Sequence, residues 1–388
     1  MLSRLGIVYA LFYGGQFILL GVQLPFLAGW FATSGFSTVE IGSITGLALI
    51  ARLLLAPFVA LWADHQTDAR LPLRIISGLF ALGATTMAIF PSKAIIAGGA
   101  VLVLWSFGVL TPLTDTAVLR ADKQGRLHYG RMRAVGSTFF LVTNVIAGYV
   151  VASAGVGVVV PVMAAAACLA FLASLALPPS EKFGPTQRLH AWRDAPQLIR
   201  NRFFLLAIVA AGLTQGAHAV YYAFSYNHWT ALGISDSSIG WFWATGVIAE
   251  IFILTRARAF MRQLHPADLL MLGAGAAVIR WAIVAIAPPL WVLFATQLLH
   301  AFTFAAAYLG ALEFVMRAVP ARLVNTGMTL MSATGIGALT GLATFASGYV
   351  WQIAGPTSAY LMMSAMGVGA LVASFILRQT WDTKRIFE

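Results

Sequence analysis

Residues 178–202 read PPSEKFGPTQRLHAWRDAPQLIRNR, the only polar segment of any length in a chain of 388 residues. With prolines at 178, 179, 185 and 196 it cannot continue an apolar helix. On one side of it lie apolar runs at 5–31, 39–62, 73–91, 94–118, 134–154 and 157–177. On the other lie runs at 203–226, 237–256, 267–287, 289–314, 323–351 and 356–378. Most runs are as long as the ~20 residues a helix needs to cross a bilayer core. Short breaks separate them: Pro91-Ser92-Lys93, Pro288-Pro289 and Gly355-Pro356. The chain is therefore expected to be an all-α membrane protein with twelve transmembrane helices. Residues 1–178 would form one six-helix bundle, 179–202 a linker and 203–388 a second bundle.

Composition agrees. Apolar residues make up 60% and charged residues 10%, where a soluble domain carries about 25% charged. Mean hydropathy is +0.85. A soluble enzyme, a disordered chain and a disulfide-stapled module are excluded. The sole cysteine, Cys168, lies in an apolar run and can form no internal disulfide. The first run, behind Arg4, is too long for a signal peptide and reads as an uncleaved helix.

The net charge of +11 is explained by placement. Arg52 and Arg280 lie inside runs, Lys93 alone lies in a loop on one side, and every other Lys and Arg falls on the side of the N-terminus. By the positive-inside rule that side is cytoplasmic, with both termini there. The basic residues then meet lipid headgroups rather than nucleic acid. Trp30, Trp229 and Trp351 fall near outer ends, where indoles favour the interface. Two six-helix halves of equal orientation suggest the parallel duplication of major facilitator transporters. The internal repeat is weak. Ala60-Leu61-Trp62-Ala63-Asp64 with Arg70 occupies the place of a cytoplasmic gating loop; its counterpart, Thr255-Arg256-Ala257-Arg258, shares only position and basic character.

Ionisable residues at membrane depth are functional candidates, because each costs several kcal/mol there. Arg52, Glu250, Arg280 and His300 lie near the middle of runs, with Trp281 next to Arg280. Arg52 has no acid at similar depth in its half. A guanidinium can hold a carboxylate through two parallel hydrogen bonds. Arg52 and Arg280 are thus expected to be wet, cavity-lining cations that together bind an anion. Glu250 and Arg280 form a candidate functional pair. His218 reads as a residue bonding a neighbouring helix, and Glu313 with Arg317 as a structural pair. Asp115 is either a substrate residue or a structural partner of Arg131 or Arg133. The small residues of the eleventh run, Gly335, Gly337 and Gly341 among them, suggest close helix packing. No HExxH, GxSxG, P-loop or paired CxxC occurs, so no enzyme, metal site or cofactor is expected, and transport would draw on an ion gradient or run downhill.

Three stretches carry a resemblance. They are Glu40-Ile41-Gly42 through Arg52 and Pro57 to Asp64; Pro112-Leu113-Thr114-Asp115 with Tyr129-Gly130-Arg131-Met132-Arg133; and Ala249-Glu250, Val278-Ile279-Arg280-Trp281 and Gln297-Leu298-Leu299-His300. Over nearly its whole length the chain resembles the bacterial 3-phenylpropionic acid transporters of the major facilitator superfamily. The resemblance implies proton-linked uptake of an aromatic monocarboxylate across a bacterial inner membrane, with the proton gradient as driving force and a functional monomer. More distantly the chain is similar to lactose permease-like symporters. That likeness implies substrate-binding roles for Asp115 and Arg133 and aligns Glu250, Arg280 and His300. Those symporters carry a proton-bearing Glu where this chain has Thr303, which leaves Glu250 as the expected proton carrier with His300 beside it. The expected substrate set is Arg52, Arg280, Asp115, Arg133, His300 and Trp281. Alternatives are a sugar or nucleoside symporter, an exporter of drugs or metabolites, or, in a different class, a membrane receptor or enzyme.

Overall fold

The computed structural model describes residues 3–178, 195–256 and 264–387. All regular structure among them is helical. Lipid offers the backbone no hydrogen-bond partners, so each apolar run must pair its own N–H and C=O groups. The first half holds α1 (Arg4–Thr33), α2 (Thr38–His65), α3 (Arg70–Ile89), α4 (Lys93–Lys123), α5 (Tyr129–Ala154) and α6 (Val159–Leu175). The second holds α7 (Ala195–Arg200), α8 (Arg202–Gly216), α9 (Ala219–Ala231), α10 (Asp236–Thr255), α11 (Pro266–Ala285), α12 (Leu290–Leu298), α13 (Ala307–Ala318), α14 (Val324–Leu330) and α15 (Leu339–Thr380).

Helix ends follow from local chemistry. The Ser37 hydroxyl accepts from Glu40 N at 3.2 Å while the Glu40 carboxylate accepts from Ser37 N at 2.7 Å. This reciprocal box satisfies two donors that α2 would otherwise orphan. Gly355, at φ 77° and ψ 178°, divides α15 into two helices. A left-handed φ suits glycine, and Pro356 restarts the helix where its missing N–H is harmless. Among the described residues eleven helical stretches are long and apolar enough to span a membrane, and the last, Thr326–Thr380, is the one that Gly355 interrupts.

Three expected helices are irregular. The run 203–226 is broken at Ala217 and His218 between α8 and α9. Those at 289–314 and 323–351 widen into π-helix over Ala301–Ala306 and Met331–Ala338. Hydropathy averaged over a window cannot report such breaks, because the flanking turns stay apolar whether or not the backbone bonds are regular. Of the expected linker, 179–194 lies outside the described residues, as does Arg258; 195–200 folds as α7.

The chain divides into two compact units, Met1–Pro185 with Phe224–Ala244, and Thr186–Ala223 with Thr245–Glu388. In the first, α1 packs on α5 and α6, and α3 on α4 and α6. Glycines let backbones meet, as lipid-embedded helices require. A Cβ on Gly83 would lie 2.8 Å from the carbonyl oxygen of Gly99, and the reverse is equally true. The α10 segment of this unit crosses α5 the same way: a Cβ on Gly148 would lie 3.3 Å from the Gly240 Cα. Tyr226 donates to Asp236 at 2.7 Å. Trp229 is fully buried edge-on against Phe242. In the second unit α15 packs on α11 and α8. The close approach of the eleventh run is at Gly335, whose carbonyl carbon would lie 2.8 Å from a Cβ on Gly212.

Beyond α15 the chain returns to the second unit. Trp381 is 3% exposed and stacks edge-on against Phe314 (4.8 Å) and His265 (5.1 Å). Ile386 N donates to Ala318 O at 2.9 Å, and Arg378 Nε to Asp268 at 2.8 Å. His265 caps α11 by accepting from Ala267 N at 3.1 Å through Nδ1. Burial first, and the Arg378 charge second, hold the His265 pKa below its ordinary value. The unfolded chain takes up this proton near pH 6.5 while the folded chain resists it, so stability falls as pH drops below that value. The thermal midpoint is therefore expected to drop between pH 7.5 and 5.5, and His265→Asn to remove about 1–2 °C of that drop. An unchanged pH dependence in the variant would exonerate His265.

Candidate functional site

The second unit gathers its buried polar side chains around Arg280 of α11, which is 0% exposed. A guanidinium in such a place needs every donor served. Nη2 donates to the Gln297 side-chain oxygen at 3.0 Å. Nη1 donates to His300 Nδ1 at 3.1 Å and to Thr303 Oγ1 at 3.3 Å. The guanidinium also lies over the rings of Tyr221 (4.8 Å) and Trp281 (4.4 Å). Nε has no partner. Among the described residues no carboxylate pairs with Arg280. It is therefore not the wet cation its sequence context suggested; neutral acceptors and aromatic faces hold it instead.

These donors assign the protonation of the neighbouring rings. Arginine can only donate, so a His300 that accepts at Nδ1 is neutral and carries its hydrogen on Nε2. That nitrogen lies 3.7 Å from the Glu250 carboxylate of α10. His218 sits in the break between α8 and α9. Its Nδ1 donates to the Gln215 carbonyl at 3.1 Å, which leaves Nε2 to accept from Thr303 Oγ1 at 2.9 Å. Gln215 in turn donates to the Phe304 carbonyl at 3.3 Å. The break in one helix is thus bonded to the π segment of another. Helix irregularities of this kind cluster at functional positions in membranes. His218 bonds a neighbouring helix as its position suggested.

The first unit holds a second polar cluster. Tyr13 of α1 donates to Asp115 of α4 at 2.5 Å. Gln16 donates to Thr114 Oγ1 and accepts from Thr111 Oγ1, both at 3.2 Å. Arg133 donates to Ser137 at 3.3 Å and lies 4.7 Å from the Phe17 ring centroid. Asp115 is ion-paired with neither Arg131 nor Arg133; its partner is a phenol that the spacing of acid and base could not reveal. Arg52 of α2 is exposed, and among the described residues nothing pairs with it. It lies across the bare backbone of α4: a Cβ on Gly108 would come 2.8 Å from Arg52 Nε.

Of the two residues expected in the gating loop, Arg70 makes bonds of 2.8–3.0 Å to Asp68. Those bonds hold the Asp68 carboxyl below its ordinary pKa. Asp64 lies within electrostatic range of Arg120. Arg317 pairs with Glu313 at 2.6 Å, four residues apart on α13. No group of three potential metal ligands occurs among the described residues.

The sequence profile of the MFS_1 like family matches residues 2–362. The chain belongs to this family. As an MFS_1-like protein it has relatives of similar length. It is 30% identical over 374 residues to the "Probable 3-phenylpropionic acid transporter" of Escherichia coli, covering 94% of each chain. It is 25% identical to the "Maltose permease" of Geobacillus stearothermophilus, covering 96% of this chain and 94% of that one. Its fold matches a crystal structure of the nucleoside transporter NupG with TM-score 0.77 at 18% identity, covering 97% and 99% of the two chains. A D-xylose-proton symporter matches with TM-score 0.71 at 11% identity over 98% of each. These proteins are transporters, and the MFS_1-like chain is a multi-pass secondary transporter rather than an enzyme.

Proposed function

We propose that the protein takes up an aromatic monocarboxylate of the 3-phenylpropionate kind together with protons, by alternating access. One observation carries the reading: two membrane-embedded guanidiniums, Arg52 and Arg280, pair with no carboxylate among the described residues. The 3-phenylpropionic acid transporter relative supports the same cargo. In this reading Arg52 attracts the carboxylate, while the unpartnered Arg280 Nε awaits an acceptor, with Trp281 beside it. Asp115 and Arg133 complete the substrate set, and Asp64 and Arg70 serve as a gating loop.

Coupling rests on Glu250 and His300. With Glu250 ionised, its charge balances Arg280 across the neutral His300 ring. When Glu250 takes a proton, the cluster becomes net positive, and a substrate carboxylate restores neutrality. Proton and anion then favour each other's binding, which is what symport requires. The gradient alone drives the cycle, without a bound cofactor. The break at Gly355 supports twelve crossings, and the basic residues support cytoplasmic termini in a bacterial inner membrane. The bundles are 1–178 and 203–388 joined by 179–202, and the monomer is the working unit.

The test is uptake of labelled 3-phenylpropionate into proteoliposomes under an imposed pH gradient. Accumulation should follow the gradient; indifference to it removes proton coupling. Uptake of nucleosides or sugars instead moves the protein to the alternative cargo. Arg52→Ala is expected to weaken substrate affinity about 10-fold, the worth of one charge-assisted bond, and Arg52→Lys less. Normal affinity in both variants would make Arg52 structural.

A further inference from the structure

We propose that His218 is a second proton-sensing residue, acting through the Thr303 hydroxyl on Arg280. The inference rests on the coupled-anion reading above and adds a group that reading does not use.

The geometry sets the logic. Thr303 has one hydrogen, which it gives to His218 Nε2 at 2.9 Å in preference to the more distant His300 carbonyl at 3.4 Å, and lone pairs, one of which receives Arg280 Nη1 at 3.3 Å. This arrangement holds only while Nε2 is unprotonated. A proton taken from the medium at Nε2 makes both ring nitrogens donors. The Thr303 hydrogen must then rotate to the His300 carbonyl, 3.4 Å away, and the imidazolium and guanidinium, two like charges, converge on one hydroxyl oxygen. Repulsion acts at short range in a poorly screened interior, and Arg280 lets go of Thr303. One more guanidinium N–H becomes available to an incoming carboxylate, and the carboxylate offsets the added charge. His218 thereby reinforces the effect of Glu250 and His300 from the opposite side of Arg280.

His218 is 0% exposed and lies beside a cation, so its proton and the substrate anion must enter together. From α11, Arg280 is the charged group and Trp281 an edge-on ring at 5.5 Å. From the π segment and its N-cap come Thr303, Phe304 at 6.4 Å and His300 at 5.4 Å, with Glu250 beyond His300. From its own helix Tyr222 stacks at 5.5 Å and Gln215 accepts from Nδ1. The bond spans two helices at the point where each departs from α geometry, so a change at Nε2 acts where the backbone is least constrained.

The experiment measures 3-phenylpropionate affinity of the purified protein between pH 5 and 8 for wild type, His218→Gln, Thr303→Val and Thr303→Ser. Glutamine can still accept from Thr303 but does not titrate. Wild-type affinity should rise toward acid pH, by up to about 10-fold per unit for each linked proton. His218→Gln and Thr303→Val should flatten that rise by at least about threefold across the range, and Thr303→Ser should restore it. A wild-type slope in His218→Gln and Thr303→Val overturns this inference alone. A wild type that binds no aromatic acid, or binds one without regard to pH, overturns both it and the reading beneath it.

Discussion

Arg280→Lys is expected to lower gradient-driven uptake about 100-fold, although the charge is kept. The planar fork serves three acceptors in three directions, Gln297, His300 and Thr303. A compact ammonium on a single stem cannot reproduce that spread. Losing even two charge-assisted bonds amounts to about 3 kcal/mol, and 1.36 kcal/mol is about tenfold in rate. Arg280→Ala should be worse, because it also leaves three buried acceptors without a donor. Uptake and thermal midpoint should be measured together. A lysine variant that transports normally would show that a positive charge suffices and that the hydrogen-bond geometry is incidental.

The largest effect on stability is expected at Trp381. Trp381→Ala removes a ring that is 3% exposed, wedged between Phe314 and His265, and donating to the Lys384 carbonyl at 2.9 Å. Truncating a buried tryptophan costs about 3–5 kcal/mol. The variant should show a markedly lower thermal midpoint in detergent, while Trp381→Phe recovers most of it. A midpoint within error of wild type would mean that the segment after α15 rests on the bundle without supporting it.

The helices were legible because lipid forces one local solution on each apolar run, and Arg280, Glu250 and His300 stood out as charges in apolar surroundings. What remained hidden has physical causes. The break at Ala217–His218 and the two π segments leave no mark in hydropathy. Thr303 stood out only for what it replaces, and nothing in the chain marked it or Gln297 as an acceptor for Arg280, yet these neutral groups are what serve the buried guanidinium. Tyr13 as the partner of Asp115 was equally hidden, because position along two helices does not say where side chains point. Arg52, by contrast, carries in the fold the same isolation it has in the chain.

The crossing of α5 and α10 at Gly148 and Gly240 has a practical corollary for anyone wishing to watch this transporter work. Bare main chain meets bare main chain there, so a spin label or dye at either glycine would wedge the helices apart and report its own damage. The neighbours are better placed: Tyr149 and Trp241 are 57% and 42% exposed, and the indole donates to the phenol at 3.3 Å. That pair marks where a label or cross-link could follow the spacing of the two helices without entering their crossing.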